Sequence, residues 1–352
     1  MPWDPSVSLP PSPAKASTNA WTSLRPTTRR RASLTRKPWW NRHPPEIVGA
    51  AAIVAVGLLS LWLIPWLTDL NNQLRATATP QPPSPSATAT PTPSPSPSPS
   101  PSGPPTADDF VTFQQPPRPD WLPEHTWEEL QTQTSFPESL TEHPLFLAEY
   151  PVADCPDPYH FETHEEYRRY AEELATCILQ AWTPHFETLG VALEPILVES
   201  YDREIQTPCG YQGPRFPAFY CSANNTFYLS SKSLNYAAKH PTEGAMTTIH
   251  EVFHHIQLQS GIGHAGYSLP IDYWEISRRL ELQAICSESR QALTLDIGFT
   301  AEDYERVMHN LGIFGEEVHG SNESLTYWGG RGFHITTLQG CNTWVVPADM
   351  VD

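Results

Sequence analysis

Residues 47–67 read IVGAAAIVAVGLLSLWLIPWL, a run of 21 residues without a charge. An α-helix of that length crosses the hydrocarbon core of a bilayer at about 1.5 Å rise per residue. Trp39, Trp40, Trp62 and Trp66 lie near its two ends, where amphipathic rings favour the membrane interface. Arg29, Arg30, Arg31, Arg36, Lys37 and Arg42 precede it, which predicts a cytoplasmic N-terminus and an outward-facing remainder. A cleaved signal peptide and a buried core helix are the rival expectations. The long basic leader and long apolar stretch favour an uncleaved anchor, and the apolar run beside an Arg cluster speaks against a core helix.

That span divides the chain by charge and by composition. Residues 1–46 carry eight Lys/Arg against Asp4 and Glu46, a net of +6. Residues 47–107 hold only Asp69 and Arg75. The remaining 245 residues hold 12 basic and 36 acidic side chains, a net of −24. Of the 39 prolines, 22 precede residue 108. They concentrate in a Pro/Ser/Thr-rich linker, 68–107, which includes PTPSPSPSPSPSG at 91–103. Such a composition buries no core and is expected to form an extended polyproline spacer. The predicted organisation is a basic leader (1–46), a transmembrane helix (47–67), a disordered stalk (68–107) and an extracytoplasmic body (108–352). An acidic body disfavours nucleic-acid binding, which needs a basic surface.

All six cysteines (155, 177, 209, 221, 286 and 341) fall in the body. An even set confined to the segment expected outside the cell reads as three disulfides, with 15 possible pairings. No CxxC is present, which argues against a cysteine zinc site.

The strongest local signal is His250-Glu251-Val252-Phe253-His254. Apolar residues at 245, 246, 249, 252, 253 and 256 have helical spacing, with Thr242 as expected N-cap and Gly261 and Gly263 as the stop. Two imidazoles four residues apart share one helix face and can bind one zinc ion, with Glu251 beside it to take a proton from water. His160 and His164 have the same spacing, but Phe161 stands where the acid would be, so they are expected to decorate the surface. His255 points off the metal face. A third ligand is expected on the segment from Trp274, WEISRRLELQAICSESRQAL, where Glu275, Glu281 and Glu288 are candidates. Glu281 is flanked by apolar residues, so it needs either a metal or an arginine such as Arg278 or Arg279.

These motifs together resemble the neutral zinc metallopeptidase family of bacteria. The resemblance rests on HEVFHHIQ at 250–257, RLELQAIC at 279–286 and FYCSANNTFYLS at 219–230. It extends to His319-Gly320-Ser321, Arg331-Gly332-Phe333 and Cys341-Asn342-Thr343-Trp344, and so covers roughly 145–346. It implies an α+β, mostly helical zincin-like metallopeptidase domain that takes Zn2+ from His250, His254 and Glu281. It also implies peptide-bond hydrolysis with Glu251 as general base. His319 and Tyr327 are candidate transition-state donors, with capping or packing as the alternative for each. The TFYLS stretch is expected to be a strand able to pair with an extended peptide. Within that frame Cys209–Cys221, Cys155–Cys177 and Cys286–Cys341 are the expected disulfides, the last fixing the third-ligand helix to the C-terminal segment.

One position departs from the family pattern. Where the family carries Asp four residues after the ligand Glu, this chain has Ile285. Either another acid substitutes, Glu288 being nearest, or the protein is a weakened or inactive zincin-fold envelope protein with a binding role. A metal-free cell-wall adhesin is a third expectation.

Overall fold

The computed structural model describes residues 103–214 and 216–352. The leader, the apolar run 47–67 and nearly all of the linker lie outside the described residues. Among the described residues no helix is long and apolar enough to cross a membrane.

The described residues form eight helices and a small sheet, which packs against the helices His164–Leu189, Ser231–Ala237 and Pro241–Gln259. Helix α1 is a single turn at Glu138–Thr141. Helix α2, His164–Leu189, starts at a capping box: Glu166 N–H donates to Thr163 Oγ1, and Glu166 accepts from Thr163 N–H. It stops at Gly190, whose φ of 69° suits the left-handed cap that glycine adopts without strain. Tyr167, Ala171, Leu174, Ile178 and Trp182 form its buried stripe.

Strands β1 (Leu197–Tyr201), β4 (Ala218–Cys221) and β5 (Thr226–Ser230) form one sheet in the order β1-β5-β4. The β1–β5 pair is parallel and the β4–β5 pair antiparallel. Between them β2 (Ile205–Thr207) and β3 (Gly210–Gln212) make a separate hairpin. TFYLS is therefore a strand, as expected, but the central one. Both its edges are already paired and every residue in it is buried, so it has no free edge for a peptide.

From β5 the chain enters α3 (Ser231–Ala237) and then α4 (Pro241–Gln259), the helix bearing the HExxH motif. Its start differs from expectation. Pro241 rather than a Thr242 cap opens the helix, because proline's fixed φ and missing N–H suit the first helical position. The stop is Ser260 followed by Gly261 at φ 92°, whereas Gly263 belongs to the next short helix, α5 (Ile262–Tyr267). Helix α6, Tyr273–Thr294, is capped by Asp272, whose carboxylate accepts from Trp274 and Glu275 N–H at 3.0 and 3.2 Å. Helices α7 (Ala301–Leu311) and α8 (Asn322–Gly332) complete the set.

Helix α4 packs on α2, α3, α6 and β4, so the motif helix is the centre of the core. Helix α6 is sandwiched between α4 and α8. The close approach of α8 requires glycine: a Cβ at Gly332 would fall on the Cys286 carbonyl of α6. Residues 121–133 contain no helix. They run as an irregular strap instead, tied where Gln133 N–H donates to Val345 O and Thr134 Oγ1 to Trp344 O.

The three disulfides are Cys155–Cys177, Cys209–Cys221 and Cys286–Cys341, which are the pairings expected. They fasten α2 to the segment before it, the β2–β3 hairpin to β4, and α6 to the C-terminal segment.

Candidate metal centre

Neighbouring turns of α4 present His250 and His254 toward α6, because residues four apart share a helix face. From α6, Glu281 meets both imidazoles. Its Oε2 lies 3.1 Å from His250 Nε2 and 3.1 Å from His254 Nε2, and the two Nε2 atoms are themselves 3.1 Å apart. Glu281 takes no arginine partner. Arg279 pairs instead with Glu275 and donates to the Thr343 and Val346 carbonyls, while Arg278 donates to Val351 and Glu317 carbonyls.

The outer nitrogen of each imidazole fixes its tautomer. His250 Nδ1 is 3.1 Å from Glu288 Oε2, and His254 Nδ1 is 2.9 Å from Gln257 Oε1. Carboxylate and amide oxygens accept, so both Nδ1 atoms donate and both Nε2 lone pairs point inward. The Gln257 amide is itself held, donating to Leu280 O at 2.9 Å and Gln283 Oε1 at 2.8 Å.

With both imidazoles neutral, three acceptor atoms converge with no donor among them, an arrangement that a cation, whether a metal ion or a proton, relieves. The site is 2-His-1-carboxylate, a donor set that suits zinc. Bonds of about 2.0–2.1 Å to a tetrahedral ion put ligand atoms roughly 3.3 Å apart, close to the 3.1 Å triangle seen here. The residues present therefore fit the ion.

The surrounding carboxylates likewise draw positive charge into the cluster. Burial pushes His250 down, but the Glu281 and Glu288 carboxylates outweigh it and hold the imidazole well above its ordinary value. For His254, burial acts downward and Glu281 upward, and the net is upward. Glu281 is pushed up by burial but held well below the usual carboxylate range by His254, His319 and His250. Glu251 is buried beside the cluster, and burial raises its carboxyl despite the opposing pull of His250 and His254.

His319 comes to the same place from the turn before α8. Its Nε2 lies 3.5 Å from Glu281 Oε2, while Nδ1 lies 2.5 Å from Glu316 Oε1. Ligand atoms of His250, Glu281 and His319 lie within 4.8 Å of one another. The turn is closed by reciprocal Glu316 and Gly320 backbone hydrogen bonds. At 38% side-chain exposure His319 is the most open group of the cluster.

Tyr327 is not among the residues brought together. It packs edge-on to Trp127 and Trp328 and interacts with Arg331, on a part of α8 turned toward the strap. His255 points away, as expected: it is buried, with Nε2 donating to Glu194 O and Nδ1 meeting the Tyr220 hydroxyl. His160 is exposed, and neither it nor His164 joins a metal-binding cluster among the described residues.

Three further residues were not singled out in the sequence. Gln257 and Glu316 carry hydrogen bonds to His254 and His319. Their spacings of three residues from those histidines, on a helix and in a tight turn, were the available signal. Tyr201, at the end of β1, has a buried hydroxyl without a hydrogen-bond partner. Burial, and then the charge of Glu251, pushes that hydroxyl up.

Residues 158–291 match the family described as putative neutral zinc metallopeptidase. Over this stretch, 134 of the 352 residues, the chain is similar to that family. The stretch runs from just before α2 into α6 and includes His250, Glu251, His254, Glu281 and Glu288; His319 and Glu316 lie beyond it. The family implies Zn2+ as cofactor. No curated protein and no solved structure matches the chain.

Proposed function

We propose that the protein is a zinc-dependent peptidase, with His250, His254 and Glu281 holding the ion and Glu251 acting as general base. The observation that carries this reading is the triangle of inward-facing acceptor atoms, each 3.1 Å from the next, beside a buried carboxyl. Zinc, when bound, acidifies a water and polarises the scissile carbonyl. Glu251 takes the proton from the attacking water and delivers it to the leaving amine. Its burial suits both steps, because a raised carboxyl holds a transferred proton more readily. His319, steadied at Nδ1 by Glu316, is the donor to the developing oxyanion. Because β5 is internal, main-chain pairing with a peptide falls to the sheet's outer strands, β1 or β4.

We also infer that the body faces outward, anchored through residues 47–67. The charge-free run, the arginines before it and three paired disulfides support this, since disulfides persist in oxidising compartments. Protease added to intact cells should remove the body and spare the leader.

A catalytically silent zincin-fold binding protein is the second reading, and Ile285 is the observation that favours it. The variant Glu251→Gln separates the two. A peptidase loses turnover on a mixed peptide library while its zinc content stays at the wild-type level. A binding protein shows zinc and no turnover in either form.

A further inference from the structure

We propose that Glu288 is the positioning residue for His250 and supplies, two helical turns beyond Glu281, the carboxylate that is missing at position 285. The assignment rests on the zinc reading above. Glu281 and Glu288 are seven residues apart on α6, so they share a face about 10 Å apart along the axis. The His250 ring bridges them, with Nε2 3.1 Å from Glu281 and Nδ1 3.1 Å from Glu288. Among the described residues Glu288 has no Lys or Arg partner, although its side chain is only 17% exposed; its ion pair is with His250. A carboxylate on Nδ1–H fixes the tautomer, limits ring rotation and makes Nε2 a stronger donor to a metal.

Position 285 has been given to another task. Ile285 is buried, and its Cγ2 lies 3.4 Å from where a Cβ on Gly329 would sit, in the contact between α6 and α8. An Asp there would bring a charge into an apolar seam. The longer side chain at 288, one turn further on, reaches the imidazole instead. His254 is served differently: its Nδ1 meets a neutral amide, Gln257, clamped by Leu280 O and Gln283. Of the two α4 histidines assigned to the ion, only His250 has a carboxylate on its outer nitrogen, so Glu288 supplies a charge that Gln257 does not.

The test is zinc affinity of the full-length protein, measured by chelator competition for wild type, Glu288→Gln, Glu288→Asp and Glu251→Gln. Glu288→Gln should bind zinc about 10–100-fold more weakly than wild type, and Glu288→Asp should fall between. Glu251→Gln should bind as wild type does. The zinc-free Glu288→Gln protein should melt within a few degrees of zinc-free wild type, which separates positioning from a general structural role. The visible absorption of the cobalt-substituted protein should shift in Glu288→Gln. Should Glu288→Gln fail to fold, Glu288→Asp carries the comparison, with several-fold weaker zinc binding expected. Zinc affinity of Glu288→Gln within twofold of wild type overturns the assignment alone. A wild type that binds no zinc overturns the zinc reading and this assignment with it.

Discussion

Removing the Cys286–Cys341 disulfide tests how the third-ligand helix is held. The bond closes a loop with a sequence separation of 55 residues, the longest of the three. Chain-entropy arithmetic for such a loop gives about 14 cal/mol/K, or about 4 kcal/mol at 25 °C. Both sulfurs are fully buried, so a Cys286→Ala/Cys341→Ala double variant also leaves unfilled volume, adding roughly 1 kcal/mol. Cys286 stands between Glu281 and Glu288 on α6, and its carbonyl is where Gly332 of α8 presses closest. Loosening it should therefore weaken zinc binding as well as the fold. The assay is equilibrium urea unfolding of the zinc-free protein, with the unfolding free energy extrapolated linearly to water. Chelator competition for zinc should be run on the same samples. We expect a loss of about 4–5 kcal/mol and a measurable fall in zinc affinity. A loss below about 1 kcal/mol, or a free thiol at Cys286 in non-reducing peptide mapping, would refute this account of α6.

Other outcomes follow from the same geometry. Glu281→Ala should abolish stoichiometric zinc binding, read by metal analysis after dialysis, because it removes the one carboxylate of the triangle. Gly332→Ala should destabilise the fold by about 1–3 kcal/mol or more in urea melts, because α8 must back away from the Cys286 carbonyl. His143 and His185 are both held below the usual histidine value, first by burial. Their folded forms resist protonation that the unfolded chain accepts, so stability should fall as pH drops below the ordinary histidine range, near 6.5. Thermal melts of zinc-free protein from pH 7 to 5 check this, and His185→Gln should flatten the slope.

Much of the site could be read from local pattern. The spacing of His250 and His254 and the apolar stripe of α4 are helix periodicities, and those survive in a sequence. The Cys209–Cys221 pair, with a sequence separation of 12, is likewise short-range. Glu281 stood out because a carboxylate between apolar neighbours demands a partner, though the sequence left an arginine open as the alternative. The pieces that escaped depend on tertiary placement. TFYLS has the composition of any strand, and only the β1–β5–β4 order shows that it is internal. Residues 121–133 contain helix-forming residues but are held as an irregular strap by contacts to Trp344 and Val345 some 210 residues away. Tyr327 sits in a motif-like stretch, yet the rotation of α8 turns it to Trp127 while the preceding turn sends His319 to the site. The Tyr201 hydroxyl could not be anticipated, because nothing local brings the end of β1 to Glu251.

Zinc content of the purified full-length protein, measured for wild type and Glu251→Gln together with peptide hydrolysis, tests the central claim most directly. The account predicts about one zinc per chain in both proteins, with hydrolysis lost by about 100-fold or more in Glu251→Gln. A folded wild type without bound zinc, or hydrolysis undiminished in Glu251→Gln, would contradict it.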